Sequence, residues 1–223
     1  MINVIYEDNH LLVVEKPINI PVQADDSMDQ DLLNILKKYL KEKYKKVGNV
    51  YLGLIHRLDR PVGGVMVFAK TSKCASRLSE QIRNNQFKKV YYAVVEGNIF
   101  ENGTLSDKII KDRRKNIVKI DSKGKASSLY FEKIDYKNNL SLIKINLETG
   151  RAHQIRIQFS TRGFPLYGDH KYNAHCKKDS QIALFAKEVT FHHPITKEMI
   201  SFSLNLPNRY PFNIFSLDKS INK

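Results

Sequence analysis

Three short stretches of the chain hold side chains able to do chemistry. They are Glu15-Lys16-Pro17, His56-Arg57-Leu58-Asp59-Arg60, and Thr149-Gly150-Arg151-Ala152-His153-Gln154-Ile155-Arg156. In the second, Asp59 stands between two arginines, just before Pro61, Gly63 and Gly64 and an apolar run. A carboxylate at such a junction is kept ionised by its cationic neighbours and can serve as nucleophile or base. The plainer reading is a surface ion pair of Asp59 with Arg57 or Arg60, and such pairs are common. The third stretch offers two arginines, a histidine and a glutamine, all able to contact phosphate or base edges; a solvated basic face is its ordinary alternative. His170, His175 and Cys176 beside Asp169 match no common zinc spacing, so no metal is expected. There is no P-loop glycine pattern, no GxGxxG and no GxSxG. That argues against nucleotide hydrolysis, dinucleotide redox chemistry and serine esterase chemistry.

The elements that must position these residues read as follows. Leu11 to Val14 form an apolar strand that ends at Lys16-Pro17, and Ile2 to Tyr6 can pair with it. From Asp29 to Lys46, Leu32, Leu33, Leu36, Tyr39 and Leu40 recur at helical spacing, with lysines in the last turn and Gly48 beyond. Val65 to Ala69 reads as a buried strand, and Thr71-Ser72 caps a helix whose Ala75, Leu78 and Ile82 share one face. Val90 to Val95, Ser128 to Ile134, Ile143 to Leu147 and Lys187 to Phe191 read as strands, and His192-His193-Pro194 as a strand-end turn. Tyr91 and Tyr92 on their strand point to opposite faces, one to a core and one to a cleft. Residues 149–163 carry both a strand-like alternation and a helix frame, with Thr149 as cap and Gly163 as terminator. The helix is preferred, with Ile155 and Phe159 facing the core.

The segment 108–125 holds eight basic and two acidic residues and reads as a basic hairpin or projecting loop. The tail after Pro211 lacks periodicity and reads as loosely attached. Strands outnumber helices without strict alternation, so the fold class is α+β around a largely antiparallel sheet. A catalytic domain over 1–210 and a tail over 211–223 are expected.

The chain of 223 residues carries 37 Lys and Arg against 23 Asp and Glu, a formal net charge of +14. A surplus of this size attracts polyanions, nucleic acid first and an anionic membrane surface second. Two cysteines, Cys74 and Cys176, are too few for a disulfide framework and fit a reducing compartment. With no signal-like start and no long apolar run, a cytoplasmic location is expected.

Taken in order, LLVVEKPINIPV, HRLDRPVGGVMVFAKTSKCASRL, KKVYYAVVEG, TGRAHQIRIQFSTRGFPLYGDHKY and ALFAKEVTFHHPITKE resemble the RluA-type pseudouridine synthases, from about Ile2 to Leu206. The resemblance implies isomerisation of uridine to pseudouridine in ribosomal or transfer RNA, with no cofactor, because the bond exchange is internal. It implies Asp59 as the essential carboxylate, attacking the anomeric carbon or acting through a glycal route. Arg156 corresponds to the arginine that pairs with it, and Tyr91 to the tyrosine that stacks on the base. Arg57 corresponds to the arginine that fills the space a flipped uridine leaves, while His56 supports the loop. Lys16, His56, Arg60, Arg151, His153 and Gln154, together with the hairpin residues Arg113, Arg114 and Lys115, complete the expected substrate and RNA contacts. Lys41 to Lys46 are a further candidate grip. Where many members carry Thr-Ser-Gly this chain has Val62-Gly63-Gly64, and Pro61 replaces a common Asp, so altered loop contacts are expected. The motifs begin close to Met1, which leaves no room for an appended N-terminal RNA-binding module, and a monomer is expected. The competing readings are a catalytically silent RNA-binding or ribosome-assembly protein on the same fold, and a metal-dependent hydrolase built on Asp59, Asp169 and the histidines.

Overall fold

A computed structural model describes residues 2–25, 28–112 and 114–216. The chain divides into two compact units, one of residues 1–88 with 188–204 and one of residues 89–187 with 205–223.

In the first unit, β1 (Asn3–Glu7), β2 (Leu11–Lys16), β4 (Gly63–Ala69) and the second part of β10 (Leu184–His192) lie in that order, with β11 (Met199–Ser203) on β10 and the two-residue β3 (Gly53–Leu54) on β4. All seven residues of β4 are buried. Valines at 13, 65, 67 and 189 therefore pack with Phe87 and Phe191, whose rings stack at 4.9 Å. Helix α1 (Leu32–Lys43) starts where Asp31 accepts the Asn34 N–H, and it buries Leu32, Leu36 and Leu40. Its outer residues are tied to the sheet by the Glu7 carboxylate, which accepts from Tyr39, Lys43 and Tyr44 of the helix end and from Lys70. Helix α2 (Ser72–Arg83) is capped by the Thr71 hydroxyl, as its sequence predicts. His193 opens the turn between β10 and β11, its N–H reaching Glu198 O.

In the second unit, β5 (Lys88–Glu96), β9 (Leu140–Leu147), β8 (Lys125–Lys137), β6 (Asn102–Asp112) and β7 (Ile117–Ile120) lie in that order, each pair antiparallel. The fold is α+β. The basic segment is the β6–β7 hairpin, and it does not project freely. Ile109 and Val118 pack on Ile157 of the short helix α3 (Gln154–Ser160), and the Val118 N–H donates to the Tyr172 hydroxyl.

Two expectations fail here. Thr149 does not cap α3: its hydroxyl takes the Ser128 N–H, and the N-cap is His153 in the left-handed region at φ 49°. The tail is not loose through Ser216, because Phe212 and Phe215 are buried around a 3-10 turn (Phe212–Ile214); residues 217–223 lie outside the described residues.

Candidate active site

Asp59 sits half-buried at the head of a tight turn in which the Val62 N–H donates to its carbonyl at 3.0 Å. The turn is fastened from below by Lys16. This lysine is only 1% exposed, and its ammonium donates to the carbonyl oxygens of Pro17, Arg60 and Val62 at 2.9, 3.0 and 2.8 Å. The Asn19 N–H adds a second bond to Arg60 O. Burial pushes the Lys16 ammonium down to about 8, against the opposing pull of the Asp59 charge. Lys16 therefore holds the turn rather than an RNA phosphate, which corrects the expectation that it contacts substrate. All three of its protons are directed at backbone oxygens.

Within Val62-Gly63-Gly64 the backbone requires the glycine that also ends Thr-Ser-Gly. Gly64 pairs with Lys16 across β2 and β4 at φ 130°, a region closed to side chains. A Cβ on Gly63 would stand 3.2 Å from Lys16 O. His56 is half-buried, its Nε2 accepting the Val67 N–H at 3.1 Å and its ring against Phe87. That arrangement suits support of the strand after the turn. Arg60 is exposed and salt-bridged to Asp25 and Asp29, and Arg57 is exposed.

In the second unit, every residue of α3 from Gln154 to Phe159 is buried. Ile155 and Phe159 face the core as expected. Arg156 is 6% exposed, and its guanidinium makes a two-pronged pair with Asp169, Nε to Oδ2 at 2.8 Å and Nη2 to Oδ1 at 2.7 Å. The Tyr172 ring lies 5.2 Å from it. Such a fork fixes the direction of the arginine and keeps it charged. Asp169 is the residue that sequence reasoning missed, weighing it only as a metal ligand. Its signal is a carboxylate in the LYGDHKY block, visible as a partner only once the loop after α3 folds back.

Gln154 is also corrected. It is buried, with its amide spent on the Thr149 hydroxyl, the Arg151 N–H and Ser128 O, so it shapes the loop from within. The His153 Nδ1 meets the Tyr172 hydroxyl at 2.7 Å. Arg151 is exposed, with Nε on Ala126 O. Arg114 and Lys115 stand exposed at the hairpin tip, and Arg113 lies outside the described residues. Tyr91 and Tyr92 are both buried, at 6% and 5% exposure. Among the described residues no group of three or more His, Cys, Asp or Glu could hold a metal ion, and no helix is long and apolar enough to cross a membrane.

This fold is shared with solved structures of human RNA pseudouridylate synthase domain containing 4 (TM-score 0.78, 20% identity, 95% of this chain and 90% of that one) and domain containing 1 (TM-score 0.73, 20% identity, 92% and 83%). The RNA pseudouridylate synthase family matches residues 10–161, and the chain belongs to that family. It is an RNA-modifying isomerase of the RluA type. Its curated relatives include ribosomal large subunit pseudouridine synthase D of Zymomonas mobilis, 31% identical over 92% of this chain and 69% of that protein. Ribosomal large subunit pseudouridine synthase C of Buchnera aphidicola is 35% identical over 88% of this chain and 64% of that protein. The uncharacterized RNA pseudouridine synthase YhcT of Bacillus subtilis is 33% identical over 89% of this chain and 67% of that protein. The chain thus spans about two thirds of the length of these relatives.

Proposed function

We propose that the chain isomerises uridines of large-subunit ribosomal RNA, with Asp59 as nucleophile on a flipped-out uridine. The names of the two synthases from Zymomonas and Buchnera support that RNA class. The net charge of +14 supports a polyanionic substrate. The observation that carries the reading is the fastened turn. Lys16 spends a buried charge to hold the two carbonyls that follow Asp59, an arrangement of use where a carboxylate must keep its aim.

In the proposed reaction a carboxylate oxygen of Asp59 bonds to C1′ as the C1′–N1 bond breaks, and uracil leaves with that electron pair. The freed base turns and its C5 attacks C1′, which returns the carboxylate. The C5 proton is lost to water and N1 gains one, so atoms balance without a cofactor. Arg156, aligned by Asp169, supplies fixed positive charge, Tyr91 supplies a stacking face, and Arg57 fills the gap in the RNA.

The test is release of tritium from C5-labelled ribosomal and transfer RNA transcripts by wild type and by Asp59→Asn. Release from ribosomal transcripts by the wild type alone is expected, with RNA affinity nearly unchanged in the variant, because phosphate contacts supply most of it. Release by Asp59→Asn at the wild-type rate would remove Asp59 from the chemistry. Tight, salt-sensitive binding with no release by either would favour a silent RNA binder.

A further inference from the structure

One buried cation has no part in that scheme. Lys89, at the start of β5, is 9% exposed, and among the described residues no hydrogen bond or ion pair to it is found. Desolvation pushes its ammonium below the ordinary lysine value, and no neighbouring charge opposes this. Buried charges are normally paired, because an unpaired one costs several kcal/mol. A charge kept at that cost without a partner in the protein is suited to one brought by a ligand.

The surroundings of Lys89 indicate which ligand. It precedes Tyr91 by two positions on the same strand, so both side chains leave one face of β5. Its Nζ lies against Gly150, at the head of the Gly150-Arg151 turn into α3; a Cβ added at Gly150 would come to 3.2 Å from that nitrogen. The Gly150 backbone lies outside the left-handed region, so conformational freedom does not explain the glycine there. What its missing side chain does is keep a Cβ from crowding the ammonium.

We propose that Lys89 is a phosphate-binding residue, its ammonium taking a phosphodiester of the substrate RNA beside the target uridine, on the side that Gly150 keeps free of a side chain. This rests on the RNA-modifying reading of the site. A phosphodiester fits because the charge is a compact point donor and the substrate carries one anion per nucleotide.

The test compares Lys89→Met with wild type. Affinity for an end-labelled, uridine-rich single-stranded RNA is measured across a salt series, alongside thermal unfolding and tritium release from a ribosomal RNA transcript. The expected result is a salt slope shallower by about 0.7, and affinity lower by roughly fivefold near 0.1 M salt. The variant should unfold at the same temperature or higher, since methionine fills the space without a charge to desolvate. An unchanged slope would overturn the proposal, even if turnover fell. So would a Tm lowered by more than about 5 °C, which would make Lys89 a packing residue. If wild type binds RNA and the variant loses slope while neither releases tritium, the phosphate site stands and the isomerase reading fails. If wild type releases tritium and the slopes agree, the reverse holds.

Discussion

Replacing Lys16 by methionine separates the fastening of the Asp59 turn from the stability of the fold. The two side chains have similar length, so the apolar stem of β2 stays packed and only the ammonium is lost. Three carbonyls then lose a donor, although Arg60 O keeps the Asn19 N–H. The buried Val62 O and the half-buried Pro17 O, left bare, cost at most about 1–3 kcal/mol each. Against this, Lys16 is depressed from 10.5 to about 8, so the wild type carries about 3 kcal/mol of buried-charge cost that the variant avoids. The terms nearly cancel, and a net loss of about 2 kcal/mol or less is expected, or a Tm lower by roughly 4–8 °C. Activity has no such compensation. A turn freed to shift by about 1 Å misplaces the carboxylate, and the rate of tritium release at pH 7 should fall on the order of 100-fold. The assay is single-turnover tritium release with saturating protein, read beside thermal unfolding. Release within threefold of wild type would refute the idea that Lys16 aims the turn. A Tm loss above about 15 °C would show that it holds the fold instead.

Three further outcomes follow from the same geometry. Because Lys16 titrates near 8 when folded and at 10.5 when unfolded, the folded state binds fewer protons between these values. Stability should therefore rise over that window while single-turnover activity falls above pH 8 as the turn loses its ammonium; chemical denaturation and rate profiles that rise or fall together would contradict this. Asp169→Ala takes the two-pronged partner from the buried Arg156 guanidinium and should cost about 3–5 kcal/mol, seen as a lower denaturation midpoint, together with a loss of turnover; a loss below about 1 kcal/mol would deny the pair its role. Arg156→Lys cannot make the two-pronged contact and should lower turnover while leaving the protein folded by circular dichroism, and wild-type rates would take Arg156 out of the reaction.

The sequence by itself determined the elements whose signals are local. Apolar spacing in α1, the Thr71 cap of α2, the β-branched runs of β4 and β5 and the basic hairpin are each written within a dozen residues. The order of the HRLD and GRAHQIR blocks gave the family, and with it Asp59, Tyr91 and Arg156 as candidates. Tertiary structure decided what those neighbours are for. Lys16 looks like a surface cation after a strand, and it becomes an internal clamp because β2 pairs with β4 and brings Gly64 opposite it. Gln154 looks like a base-reading amide, and it is consumed by backbone groups of the strand and turn beside it. Asp169 gains its meaning from a fold-back of 13 positions onto Arg156. In each case the partner is a backbone atom or a side chain distant in sequence. Hydrophobic periodicity records which face is buried, and it holds no record of which polar group waits there.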